Sequence, residues 1–502
     1  RAQDVWIYDL KNNTTQQITS SPATENQPMW IGNTIYFTSD AEGGKLNLYS
    51  YDLGTKAIAK VTNHTDWDVL WPSSDRKQIV YECGGYIWRF DPATGKDERM
   101  PIHVVGDFGN VVPHFKNVRD SIESFQLSPT GARALIEARG DIFTVPAKYG
   151  EIRNVTQTPG IRERAPQWSP DGKWISYLSD KNGDEYEIYL RPAEGEGPER
   201  QLTNQATKGS HMWMFDPIWS PDSKKIAYAA KDHMLHVIDV ASGAVTDVDR
   251  DEYGDIRHYR WSPDSKWITY TKLNAARFSS IYVYSLADGK PYRLTNGMTD
   301  DNEPVFDLKG RYLYFTSNRD FNLTFSAWEF NYVYTNPTRV YVGILAEDGP
   351  ALLLPQSDEE KVSVDKDKPA EEKKPATAMA GEEGKHDAKT SAVNVKIDVA
   401  GFERRVRAIP GPSGSYNSLI PTANGIIYIT GSRGKNSLRL YNIDDRKEET
   451  IVEPVNGVDV SSNGEKLIVQ SGRDYAIIAA KPGQKVSDSA LNLEHLEMKV
   501  DP

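Results

Sequence analysis

Short runs of alternating apolar and polar residues, each closed by a turn signal, recur along most of the chain. Lys173-Trp174-Ile175-Ser176-Tyr177-Leu178 and Lys266-Trp267-Ile268-Thr269-Tyr270 alternate with a period of two, which predicts strands. Each comes after the same punctuation: Trp168-Ser169-Pro170-Asp171-Gly172-Lys173 returns as Trp219-Ser220-Pro221-Asp222-Ser223-Lys224 and as Trp261-Ser262-Pro263-Asp264-Ser265-Lys266. Proline presets φ at the first central position of a turn, and Asp with Gly or Ser tolerates the backbone angles of the next positions. Weaker copies stand at Leu127-Ser128-Pro129-Thr130-Gly131, at Phe306 to Gly310 and at Ser461 to Lys466; Trp30 and Trp71 occupy the same slot. A third strand reads Glu187-Ile188-Tyr189-Leu190, and a fourth ends Gln201-Leu202-Thr203-Asn204. The anchors are spaced by about 40–50 residues, the period of a four-stranded propeller blade.

The fold class expected is therefore all-β: a partial β-propeller followed by a complete seven-bladed one. Residues 1–105 supply the closing blades of the first, and 106–119 form a crossover linker. Seven units, anchored near 127, 168, 219, 261, 306, 420 and 460, fill 120–485. Within them, 357–390 reads as a disordered charged insertion: rich in Asp, Glu and Lys and free of aromatics, it cannot bury enough apolar area to order itself. Residues 486–502 read as a tail leading to a domain outside the chain. Because the chain opens directly into a strand-like run, it is expected to be a piece of a larger protein.

Composition narrows the function. Lys plus Arg is 59 and Asp plus Glu is 71, a net charge of −12, which argues against a nucleic-acid partner. No apolar run reaches about 18 residues, so no membrane-spanning helix is expected. Cys83, the single cysteine, cannot form an internal disulfide or a multi-thiolate zinc site and reads as a small buried apolar residue. The 12 Trp and 26 Tyr read as filler between blades, with their polar tips at the surface.

Catalytic signatures are missing. The nearest match to G-x-S-x-G is Gly411-Pro412-Ser413-Gly414-Ser415, which lacks the final glycine. No P-loop, H-E-x-x-H or EF-hand pattern occurs. His233 and His236 are spaced for opposite faces of a strand, and Asp300-Asp301-Asn302-Glu303 reads as a solvated turn. No catalytic residue, metal or cofactor is assigned. What remains is the propeller axis. The strand just before each anchor should be innermost, which nominates Glu123, Arg162, Arg164, Asp216, Arg257, His258 and Glu303 as channel-lining residues able to hold an extended peptide. The competing reading is that they satisfy neighbouring backbone groups and water.

The repeated W-S-P-D units, Gly140 to Lys148, Ser317 to Asn322, the charged insertion, Arg446 to Thr450 and Leu491 to Asp501 together resemble the tricorn protease homologues along essentially the whole chain. The repeat alone is shared with TolB-like and prolyl-oligopeptidase-type propellers; the ordered set, with the insertion placed in the sixth blade, is more specific. The resemblance implies two propellers followed by a helical subdomain, a PDZ domain and a serine-peptidase core, with the catalytic residues beyond Pro502. It also implies that the propellers filter and guide unfolded peptides, that this chain alone hydrolyses nothing, and that the full-length protein forms a homo-oligomer. The compartment expected is cytoplasmic, or periplasmic if a signal peptide precedes Arg1. Two alternatives stay open: a TolB-like protein–protein interaction module, and the propeller of a prolyl-oligopeptidase-type hydrolase.

Overall fold

The computed structural model describes residues 3–107, 109–183, 185–195, 197–204, 213–320, 323–334, 337–353, 393–432 and 435–501. The insertion expected at 357–390 lies outside them. The chain forms two compact units, Arg1–Gly109 and Asn110–Pro502. The first holds a hairpin (Trp6–Asp9 with Thr14–Gln17) and two four-stranded antiparallel sheets, Asn26 to Lys60 and Leu70 to Arg99. Cys83 is buried there beside Tyr36, Leu48, Ile79, Tyr81 and Phe90, with its thiol 3.5 Å from the Trp67 carbonyl, as a small core residue should be.

The second unit is a ring of seven sheets, named here by their first strands: blade 1 (Ile122–Leu127), blade 2 (Glu163–Trp168), blade 3 (Met214–Trp219), blade 4 (Arg257–Trp261), blade 5 (Asp301–Phe306), blade 6 (Tyr416–Pro421) and blade 7 (Gly457–Val460). First strands lie against one another between blades 1 and 2, 2 and 3, 4 and 5, 5 and 6, and 7 and 1, so they are innermost and line the bore. Alternation along a strand here buries both faces. In the second strand of blade 1, Ala134 and Ile136 face the seam with blade 7, while Leu135 packs against Ile175, Tyr177 and Tyr189 of blade 2. Each of the seven seams carries one such apolar cluster.

The repeated turn is built from its own side chains. In blade 2 Ser169 Oγ donates to Asp171 Oδ1 (2.6 Å) and accepts the Trp174 N–H (2.9 Å), while Asp171 Oδ1 accepts the Lys173 N–H (3.1 Å). Ser220 with Asp222 and Ser262 with Asp264 repeat this geometry. The turns are also laced together: Ser223 Oγ accepts the Asp171 N–H of the preceding blade, and Ser265 Oγ accepts that of Asp222.

Several expectations need correction. The insertion belongs to blade 5, not the sixth: it falls between that sheet's third strand, Arg339–Ile344, and its fourth, Val406–Ala408. Tyrosine tips are often inside rather than at the surface. Tyr270 donates to Asp249 (2.7 Å), Tyr428 to Glu448 (2.6 Å) and Tyr177 to Glu199, and burial with nearby carboxylates pushes these phenols up. Asp301, read as a solvated turn residue, is fully buried and bonded by Arg319 and Ser317.

The stretches 106–119 and 486–502, read as linker and tail, meet each other. His114–Asn117 pairs antiparallel with Glu497–Val500. Blade 7 has only three strands, plus a single bridge from Ala476 to Ala490. The chain beyond it crosses to blade 1, burying Leu491, Leu493, Leu496 and Met498 with Val118, Leu127 and Phe143 on one side and Ile468, Tyr475 and Ile477 on the other. This clasp closes the ring. Leu496→Ala is expected to cost about 2–5 kcal/mol in urea unfolding of the whole chain. The exposed neighbour change Lys499→Ala should stay within about 0.5 kcal/mol.

Candidate functional site

A bulge shapes the bore wall. Pairing between first and second strands slips between Arg164 and Gln167, Phe215 and Ile218, Arg257 and Arg260, Asn302 and Val305, and Asn417 and Ile420. Ala165, His258, Glu303 and Ser418 in these bulges have φ of 49°, 52°, 51° and 57°. That left-handed conformation costs a side-chain-bearing residue on the order of 1 kcal/mol and needs outside support. Ala165, Asp216 and Glu303 each precede a proline, which has no N–H to lose from the broken ladder. The first unit uses the same device at Gln27-Pro28 and Trp71-Pro72.

Backbone groups on these strands are taken up by the neighbouring blade. Glu137 of blade 1 accepts the Ala165 N–H at 3.1 Å. Tyr259 of blade 4 donates its hydroxyl to the Phe215 and Asp216 carbonyls at 2.9 and 2.8 Å. Glu303 of blade 5 accepts N–H groups from Leu419 and Ser418 of blade 6. Asp459 of blade 7 accepts the Leu127 N–H of blade 1 at 2.8 Å. For Glu303, then, the structural role foreseen as the competing reading is real: it holds the wall of the next blade.

These strands enclose a cavity of about 380 Å³. It is bounded by His258 and Arg260 of blade 4, Glu303 to Val305 of blade 5, Ser418 to Pro421 of blade 6 and Val458 to Val460 of blade 7. Burial pushes the Asp459 carboxyl up to about 6, against the pull of the Leu127 and Val460 amides and of Arg260. Burial likewise raises Glu303, opposed by its two amides and Arg260. His258 is held down by the protein around it and by Arg260 and Arg257. The Arg260 guanidinium donates to the Tyr259 carbonyl at 2.9 Å, and its side chain stays exposed to the bore.

The structure brings only some of the nominated residues together. His258 and Glu303 share the cavity. Glu123 and Arg162 form a half-exposed ion pair of 2.7 Å with each other. Arg164 lies over Trp213 (4.9 Å) and Tyr186 (5.4 Å), and Arg257 lies over Phe215 (4.3 Å) while bonding Asp255 (2.9 Å). Asp216 stands exposed. Arg260 and Asp459 were missed, although a signal existed. They sit one residue before anchors Trp261 and Val460, on the same innermost strand of the repeat that nominated His258 and Glu303. Among the described residues no group of three or more His, Cys, Asp or Glu converges as a metal cluster, and no helix is long and apolar enough to cross a membrane.

Comparison with known proteins assigns both units. Residues 122–481 match the tricorn protease second beta propeller domain, and residues 1–96 match the tricorn protease N-terminal beta propeller domain. The chain belongs to the tricorn protease family. Tricorn protease homolog 1 of Streptomyces coelicolor is 24% identical over 494 residues, covering 93% of this chain and 44% of the relative. Tricorn protease of Thermoplasma volcanium is 23% identical, covering 92% and 42% respectively. A crystal structure of the tricorn protease superposes with a TM-score of 0.63 at 18% identity, covering 98% of this chain and 46% of that one. This tricorn-family chain thus spans less than half the length of these relatives, which are named as proteases.

The cavity's electrostatics give a pH test. Asp459 has a folded pKa above its unfolded value of about 3.9, so the native state holds that proton more tightly. Its ionisation opposes folding above about 6, and that penalty is relieved as pH falls toward about 4. Asp459→Asn carries no such charge. It should gain most over the parent at pH 8, keep about half of that advantage at pH 5 and lose most of it by about pH 4, read from urea midpoints at each pH.

Proposed function

We propose that this chain is the non-catalytic propeller region of a tricorn-type serine peptidase, and that its seven-bladed ring admits unfolded, extended peptides and guides them to a peptidase core elsewhere in the parent protein. The observation that supports it most is the bore wall itself. Arg260, His258, Glu303 and Asp459 present both signs of charge beside apolar Val305, Leu419 and Val458. Such a lining suits a main chain with mixed side chains rather than one small ligand. The carboxylates are largely engaged with amides of the next blade, so the wall is rigid and Arg260 is its available cation. A rigid bore selects by cross-section: an extended chain fits and a folded domain does not.

In this reading the PDZ and peptidase domains are partners within the parent chain, and hydrolysis requires them. A fluorescently labelled unfolded peptide should bind the 502-residue chain in an anisotropy titration, whereas a folded protein of similar charge should not. Arg260→Glu should weaken binding of an acidic unfolded peptide about tenfold, a change of about 1.4 kcal/mol, and affect a basic one less. The chain alone should leave peptides uncut in a mass-spectrometric assay. Cleavage would overturn the assignment, and binding confined to a folded partner would favour an interaction module.

A further inference from the structure

The seam between blades 1 and 2 holds two carboxylates that the bore does not use. Asp141 opens the third strand of blade 1 and Glu163 opens the first strand of blade 2; each is only 1% exposed. One residue grips both: Thr158 donates its hydroxyl to Glu163 Oε1 at 2.6 Å and its backbone N–H to Asp141. Asn154 Nδ2 donates to Asp141 Oδ2 at 2.5 Å, and the Glu163 N–H is donated to the Gly140 carbonyl at 2.8 Å. One oxygen of each acid, Asp141 Oδ1 and Glu163 Oε2, is buried without a hydrogen-bond partner. The two groups are close enough for the charge of Asp141 to act on Glu163, yet no hydrogen bond joins them. Burial pushes the Glu163 carboxyl up to about 7, helped by the charges of Asp141 and Asp180 and against the pull of the Thr158 and Thr156 hydroxyls.

The repeat supplies an internal control. In blade 5, Asp301 occupies the position of Glu163, paired in register with Ser317 as Glu163 is with Ser179. Arg319, two residues beyond Ser317, donates to both Asp301 oxygens at 3.0 Å. The residue two beyond Ser179 is Lys181, whose ammonium bonds Glu199 and acts on Glu163 through space without bonding it. At the next seam the third strand of blade 2 opens with Glu187, but blade 3 opens with Met214, and Thr203 Oγ1 donates to Glu187 at 2.5 Å. Among the described blades, only the seam between blades 1 and 2 sets an acid at both positions. Two buried carboxylates that share Thr158 and each keep an oxygen without a hydrogen-bond partner call for a positive partner.

We propose that this seam binds a hard divalent cation, of the calcium–magnesium class, through Asp141 Oδ1 and Glu163 Oε2, with water and backbone oxygens completing its shell. An all-oxygen donor set selects such ions over zinc or copper. The ion joins blade 1 to blade 2 as Arg319 joins the strands around Asp301, and the proposal is independent of peptide binding.

The test uses the whole chain, refolded in EDTA, freed of chelator and heated with or without millimolar CaCl2 or MgCl2. A saturable rise of a few degrees in the unfolding midpoint is expected with at least one of them, with a stoichiometric ion found by elemental analysis. Glu163→Gln and Asp141→Asn, checked by circular dichroism, should lose both the rise and the ion, which separates this seam from acidic surfaces elsewhere. No rise and no bound ion in the parent chain would overturn the proposal, as would a rise that survives in both variants. Should neither variant fold, the elemental analysis of the parent chain decides alone: a stoichiometric ion supports the site and its absence sinks it.

Discussion

The ring rests on one constraint: a blade buries both faces of its sheet, so every blade needs a neighbour on each side. A sheet with one wet face can end anywhere, but a sheet that is apolar on both faces has to find a partner. Seven clusters, one per seam, meet that demand, and the last is completed by the crossing segment from Leu491 to Met498. This is why alternation alone does not separate inside from outside here. Leu135 and Ile136 are adjacent in sequence and point to different seams, yet both are fully buried.

Charge obeys the same neighbour-to-neighbour logic. A bulge in one blade frees backbone groups, and an acid or a tyrosine of an adjacent blade takes them up. Glu137 and Glu303 each fix a first strand that carries a left-handed residue, Asp459 fixes the first strand of blade 1, and Glu303 and Asp459 also place partly desolvated negative charge on the bore wall. The bore chemistry is a by-product of how the wall is held. Arg260 differs because its guanidinium is anchored to a carbonyl of its own strand, which leaves its charge exposed to the bore.

The blade repeat was legible because its atoms have local uses: Ser169 and Asp171 bond within six residues, so the turn reads as a word. The innermost strand was legible for the same reason, since it must precede that turn. What escaped depends on partners far away in the chain. Asp301 looked solvated because Arg319 reaches it only through the register of two strands, and the crossing segment looked like a tail because no turn motif announces it. Its alternation was visible, in Leu491-Asn492-Leu493 and Leu496-Glu497-Met498, but nothing local says that these side chains belong between the first and last blades. The bore residues were half legible. Their position before the anchor was readable, whereas the amide bonds that commit Glu303 to blade 6 were not.

The clasp also sets how the ring would respond to tension. His114 pairs with Val500 and Asn117 with Glu497, so the chain arrives and leaves at the same end of a two-stranded ladder. A pull between these flanks loads the pairs one after another, as a zipper is drawn, rather than shearing all of them together. The strands would part at low force, whereas the seven seams, loaded broadside, would hold. A ring stitched in this way keeps one place where mechanical work on its flanks could unlatch it.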